Sequence, residues 1–167
     1  MKLTLLSAAV MCVAIPALAD VTVRFEESAP KDRFTITNDG PCPMGEVAVV
    51  IDLGASAAGL IFDVTGTGAG VSVFQPMELV RGQEYLSGIP EVRDGDSKVT
   101  LGVVGLGAGD SIAFTIDVDD TLGSSETMVS GAEISGAKIM VTGHSVSREA
   151  TFGDDATAQV ALNSCNA

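Results

Sequence analysis

The sequence has no tryptophan, one tyrosine (Tyr85) and one histidine (His144). Each scarcity closes off a branch of chemistry. A single histidine cannot build a multi-histidine zinc or copper site. A Ser-His-Asp hydrolase would have to use His144, with Ser56 in Gly54-Ala-Ser-Ala-Ala58 as its nucleophile. That segment lacks the last glycine of a nucleophile elbow, and no strand-turn-helix pattern surrounds it. With tryptophan absent and tyrosine nearly so, the aromatic platforms on which sugars stack are missing too. Basic residues are also few, nine Lys and Arg against 22 Asp and Glu. Such a surface repels nucleic acid and anionic lipid. The glycine runs at 66–70 and 105–109 are followed by no helix carrying Lys or Arg, so they read as turns rather than phosphate cradles.

What is present begins with an export signal. Met1-Lys2, an apolar run from Leu3 to Ile15 and Pro16-Ala17-Leu18-Ala19 make a secretory signal peptide, cut after Ala19. Met11 ahead of Cys12 disfavours a lipoprotein. The apolar run is too short to span a bilayer, and nothing later is long and apolar enough, so no membrane insertion is expected. Cleavage leaves residues 20–167, one ordinary domain with a sizeable core, expected in the periplasm, at the cell surface or in the medium. Lys2 leaves with the signal, giving eight basic against 22 acidic residues and a net charge of −14. That charge suits divalent cations or basic partners, and equally a solvated acidic surface. Cys42 and Cys165 remain, in a compartment where disulfides persist, and their pairing is expected.

Alternation of apolar and polar residues dominates the chain. Val21, Val23 and Phe25 alternate, as do Phe34 and Ile36, and Val47 to Leu53. Leu60, Phe62 and Val64 follow, then Val71 and Val73, Val99 to Val103, Ile112 to Val118, Ile139 and Val141, and Ala158 to Leu162. The pattern predicts an all-β single antiparallel sandwich, jelly-roll or immunoglobulin-like, of roughly nine or ten strands. Helix signals are thin: Met77-Glu-Leu-Val-Arg81 could make one turn before Gly82, inside an irregular stretch from Gln75 to Asp96.

Asp117, Asp119 and Asp120 put three carboxylates within four residues at the end of Ser111-Ile-Ala-Phe-Thr-Ile-Asp-Val-Asp-Asp-Thr121. Period two places Asp117 and Asp119 on the polar face, with a stop or turn at Asp120. Hard cations take six to eight oxygens, usually gathered from more than one loop, so calcium is the cofactor this cluster suggests. Asp94 and Asp96 around Gly95 form a second candidate site. Asp63, near a strand end, and Asp154-Asp155 add further carboxylates. No segment matches the helix-flanked twelve-residue calcium loop, and Asp and Gly are also ordinary turn residues.

The segments Arg33-Phe-Thr-Ile-Thr-Asn-Asp-Gly-Pro-Cys-Pro43 and Phe114-Thr-Ile-Asp-Val-Asp-Asp-Thr121 resemble secreted bacterial proteins labelled aggregation factor core. The resemblance implies an exported β-rich protein with a role in calcium-dependent adhesion or matrix association, and it carries over no catalytic residues. The expected function is therefore non-catalytic binding or adhesion, with a cell-surface or matrix component, a glycan or a second copy of the chain as partner. The alternatives are a calcium-assisted carbohydrate-binding module and a secreted hydrolase with an acidic site.

Overall fold

The computed structural model describes residues 21–67, 74–122, 129–144 and 147–162. The expected signal segment, the Val71–Val73 run and Cys165 lie outside them, and with Cys165 the expected Cys42–Cys165 pairing.

Among the described residues eleven strands form: β1 (Val21–Glu26), β2 (Asp32–Asn38), β3 (Val47–Asp52), β4 (Ile61–Phe62), β5 (Glu78–Arg81), β6 (Lys98–Val103), β7 (Ser111–Ile116), β8 (Val118–Asp119), β9 (Lys138–Gly143), β10 (Ser147–Thr151) and β11 (Thr157–Val160). No α-helix occurs among the described residues. Every strand pairing is antiparallel. One sheet runs β11-β1-β2-β7-β5, a second β10-β9-β3-β6, and a two-stranded ribbon joins β4 to β8.

The two larger sheets pack in a sandwich-like arrangement around a single apolar cluster. Alternation decides which side chains enter it, because successive residues of a strand point to opposite faces. Val21, Val23 and Phe25 from β1 and Phe34 and Ile36 from β2 are buried on one side. Val49 and Ile51 from β3, Leu101 from β6 and Ile139 and Val141 from β9 are buried on the other. Phe34 stacks on Phe114 with ring centroids 5.2 Å apart and meets Phe25 at 5.1 Å. Phe62 of the ribbon packs edge-on against the same Phe34 at 6.4 Å. That contact anchors β4 to the core.

Two expectations are corrected. Met77–Arg81 forms no helical turn. Glu78–Arg81 instead pairs with β7 as an edge strand, where ladder hydrogen bonds satisfy its backbone, and a short 3-10 turn follows at Gln83–Tyr85. The run from Ser111 to Asp119 is also not one strand. It leaves the β2 ladder after Ile116, opposite Asp32, and re-forms as β8 against β4.

Candidate metal centre

The break after Ile116 creates the site. Asp117 N–H donates to Gln75 O at 3.2 Å, Asp63 N–H donates to Asp117 O at 3.1 Å, and Gln75 N–H donates to Asp63 O at 3.3 Å. Beyond that point Phe62 pairs with Val118, and Ile61 with Asp119. Asp63 thus stands opposite Asp117, with Asp119 one diagonal step further along the same ribbon face. Cross-strand and diagonal neighbours on one face are close enough for their side chains to meet. Carboxylate oxygens from Asp63, Asp117 and Asp119 lie within 4.8 Å of one another.

Contrary to the polar-face expectation, Asp117 and Asp119 are buried, at 6% and 3% exposure, and Asp63 is fully buried. Period two holds only while the chain follows one sheet. Here the backbone changes partners after Ile116, just before the two aspartates, and backbone hydrogen bonds draw the Asp63 and Gln75 segments against Asp117.

Both Asp63 oxygens and Asp117 Oδ2 are buried without a hydrogen-bond partner. Neither Asp63 nor Asp117 takes part in the ion pairs Lys31–Glu78, Lys98–Asp52, Lys138–Glu149 or Arg93–Glu91. Burying an unpaired carboxylate is costly, and the cost appears as raised proton affinity. Burial first, then the charge of Asp119, pushes Asp117 up to about 7. Asp63 is raised in the same way, by burial first and then by the neighbouring carboxylates of Asp94 and Asp119.

Asp32 closes the site from the sandwich side. It sits at the first residue of β2, where the ladder to β7 ends, and its side chain takes over from the ladder. Asp32 Oδ2 accepts Val118 N–H at 3.2 Å, and Oδ1 accepts Ser28 N–H at 3.1 Å. These bonds fix the start of β8. Burial nevertheless outweighs the two donors, and with the charges of Asp117 and Asp119 it raises Asp32 to about 7.

The remaining sequence candidates separate clearly. Asp120 is only half-buried and does not belong to the group of three. Asp94 Oδ1 accepts Val64 N–H at 3.0 Å and Thr65 N–H at 2.9 Å, which brings it beside Asp63. Asp96 Oδ2 accepts Arg93 N–H at 2.9 Å, so Asp96 closes its own turn. Asp154 and Asp155 are exposed, and Asp155 Oδ1 accepts Thr157 N–H in another local turn. Of the two expected sites, Asp117 and Asp119 join Asp63, Asp94 lies beside Asp63, and Asp120 and Asp96 stand apart. In the sequence Asp63 stands only as a carboxylate near a strand end. The available signal was its setting in Leu60-Ile-Phe-Asp-Val64, a lone charge inside an apolar run.

Ser56 and His144 are not brought together. Ser56 Oγ accepts Leu60 N–H at 2.7 Å and caps its own loop beyond the end of β3. His144 follows Gly143, which pairs with Val47 at the start of β3. The two stand at opposite ends of a six-residue strand, roughly 20 Å of chain at 3.3 Å per residue.

Three carboxylates whose oxygens all lie within 4.8 Å can share one cation, since ligands 2.3–2.6 Å from a calcium are at most about 5 Å apart. The molecule is thus an all-β sandwich with a buried acidic cluster able to hold a metal ion. No protein-family model, curated protein or solved structure matches the chain.

Proposed function

We propose that the protein is an exported, non-catalytic binding or adhesion protein whose sandwich is stabilised by a calcium ion held by Asp63, Asp117 and Asp119. One observation carries this reading: three carboxylate oxygens are buried at the centre of the cluster with no donor. A cation is the simplest group that supplies the missing charge and ligation. Calcium suits the site better than magnesium, which keeps several waters and so fits an enclosed pocket poorly. Zinc sites draw on Cys and His, and none belongs to this cluster. The export signal, the acidic surface and the resemblance to aggregation factor core proteins support a place outside the cytoplasm.

Burial also shapes the role. A cation behind oxygens closed to water acts as a brace and does not present itself to a ligand. This weighs against a sugar bound directly through the ion. It also weighs against a hydrolase, although carboxylates raised to about 7 suit acid–base work, because a substrate cannot reach them. Partner binding is assigned to the outer surface, with a matrix component, a glycan or a second copy as the class of partner.

The test is thermal melting of the mature chain in calcium and in chelator. An ion that binds only the native state stabilises it by about 2.7 kcal/mol at 100 times the dissociation constant, or about 5–10 °C for a domain of this size. No shift at millimolar calcium would remove the metal and leave the acidic surface as a solubility device. Adhesion further predicts calcium-dependent self-association or cell binding that is lost in the Asp117→Asn/Asp119→Asn double variant. The Cys42–Cys165 disulfide belongs to the same reading and closes a loop worth about 4–5 kcal/mol. It predicts no free thiol in the exported chain and a lower melting midpoint after reduction.

A further inference from the structure

The turn from Arg93 to Asp96 is stitched to the side of β4 away from β8. Gly95 N–H donates to Phe62 O and Phe62 N–H to Asp96 O, both at 2.9 Å. Asp96 N–H returns to Arg93 O at 3.0 Å, and Gly95 takes the left-handed conformation (φ 79°) that a glycine adopts without strain. β4 is therefore gripped from both sides, by β8 and by this turn. Asp94 stands at the top of the turn, with Oδ1 held on the amides of Val64 and Thr65, the two residues that follow Asp63.

From this geometry we infer that Asp94 is the fourth carboxylate of the cation site, so that a bound calcium ties the 93–96 turn to the β4–β8 ribbon. The inference rests on the calcium reading above and extends it from three residues to four. Calcium takes six to eight oxygens. Three carboxylates reach six only if all bind through both oxygens, so the coordination shell has room for a further donor. Asp94 is not among the three whose oxygens already lie within 4.8 Å; it reaches the site through Asp63, beside which its carboxylate is anchored. A carboxylate offers about four acceptor positions, so the Val64 and Thr65 amides do not by themselves exclude ligation. Asp94 also lies close enough to Asp63 to raise its proton affinity. The consequence is regulatory. The turn ends an irregular stretch that carries the exposed Ile89 and Glu91, and calcium occupancy sets how firmly that stretch is held.

The test is calcium titration calorimetry combined with amide hydrogen exchange on the mature wild type, Asp94→Asn, Asp94→Glu and Asp96→Asn. Asparagine keeps an acceptor for the Val64 and Thr65 amides, and melting in chelator checks that each variant folds. Asp96→Asn removes the same charge from the same turn without touching Asp63. The expected result is calcium affinity lowered about tenfold or more in Asp94→Asn, partly restored in Asp94→Glu and close to wild type in Asp96→Asn. Calcium should slow exchange at Gly95 and Asp96 in the wild type but not in Asp94→Asn. If the wild type binds calcium and Asp94→Asn binds it equally well, the inference is overturned while the three-residue site stands. If the wild type binds none, the calcium reading itself fails.

Discussion

Asp32 and Asp63 are both buried aspartates at the ends of short strands, yet their surroundings are opposite. Asp32, at the start of β2, accepts backbone N–H groups from Ser28 and Val118. Asp63, just past β4, is fully buried and neither of its oxygens has a partner. One carboxylate is a finished structural joint that carries a broken ladder across a gap. The other is an unmet demand for positive charge. Acidity and burial are common to both; the supply of donors is what separates a brace from a binding site. The exposed Asp155, which caps its own turn, makes the same point from the surface.

The two positions should therefore fail differently. The largest effect is expected from Asp63→Asn, which should abolish the calcium-induced rise in melting midpoint, about 5–10 °C at saturating calcium, and leave the midpoint in chelator unchanged or higher. Differential scanning calorimetry in both conditions separates these outcomes. Asp32→Ala should instead destabilise the protein by about 2 kcal/mol with or without calcium, because two backbone donors lose their acceptor. Urea unfolding in calcium and in chelator measures it. An Asp32 variant that loses only the calcium-dependent part would merge the two classes and break the comparison.

A third expectation concerns pH. Asp32, Asp63 and Asp117 bind protons more tightly folded than unfolded. Between about pH 4 and about pH 7 the native state therefore holds more of these protons, and their contribution to stability falls as pH rises. In chelator, the stability contributed by these groups is full below about pH 4 and lost as pH passes about 7. Calcium competes with the same protons, so its affinity should rise across that window and the gap between calcium and chelator midpoints should widen. Melting from pH 4.5 to 8 tests both signs, and Asp63→Asn should flatten the chelator slope. Last and smallest, Asp155→Asn should change stability by no more than about 0.5 kcal/mol and leave calcium affinity unaltered.

The framework of the sandwich was legible because its strands follow period two for five or six residues and bury one face. Val21 to Phe25 and Val99 to Val103 are read directly. The site was legible only in part. Asp117 and Asp119 stood out by their spacing and their shared face, but period two left that face open to water, since nothing local announces that the chain changes partners after Ile116. β4 and β8 are two residues long, too short for any periodic signal. Asp63 joins Asp117 across more than fifty residues, through a register that the rest of the fold sets. Asp94 and Asp96 look alike in Asp94-Gly-Asp96, and only the hydrogen bonds show one turned toward Asp63 and the other closing its own turn. Whether a buried oxygen lacks a donor depends on every neighbour at once, and no single segment carries that information.

The most direct measurement is calcium titration calorimetry on the mature wild-type chain beside Asp63→Asn. The wild type should bind calcium saturably, with the three-aspartate cluster taking one ion, and the variant should lose that binding. Absence of binding by the wild type, or equal binding by the variant, would contradict this.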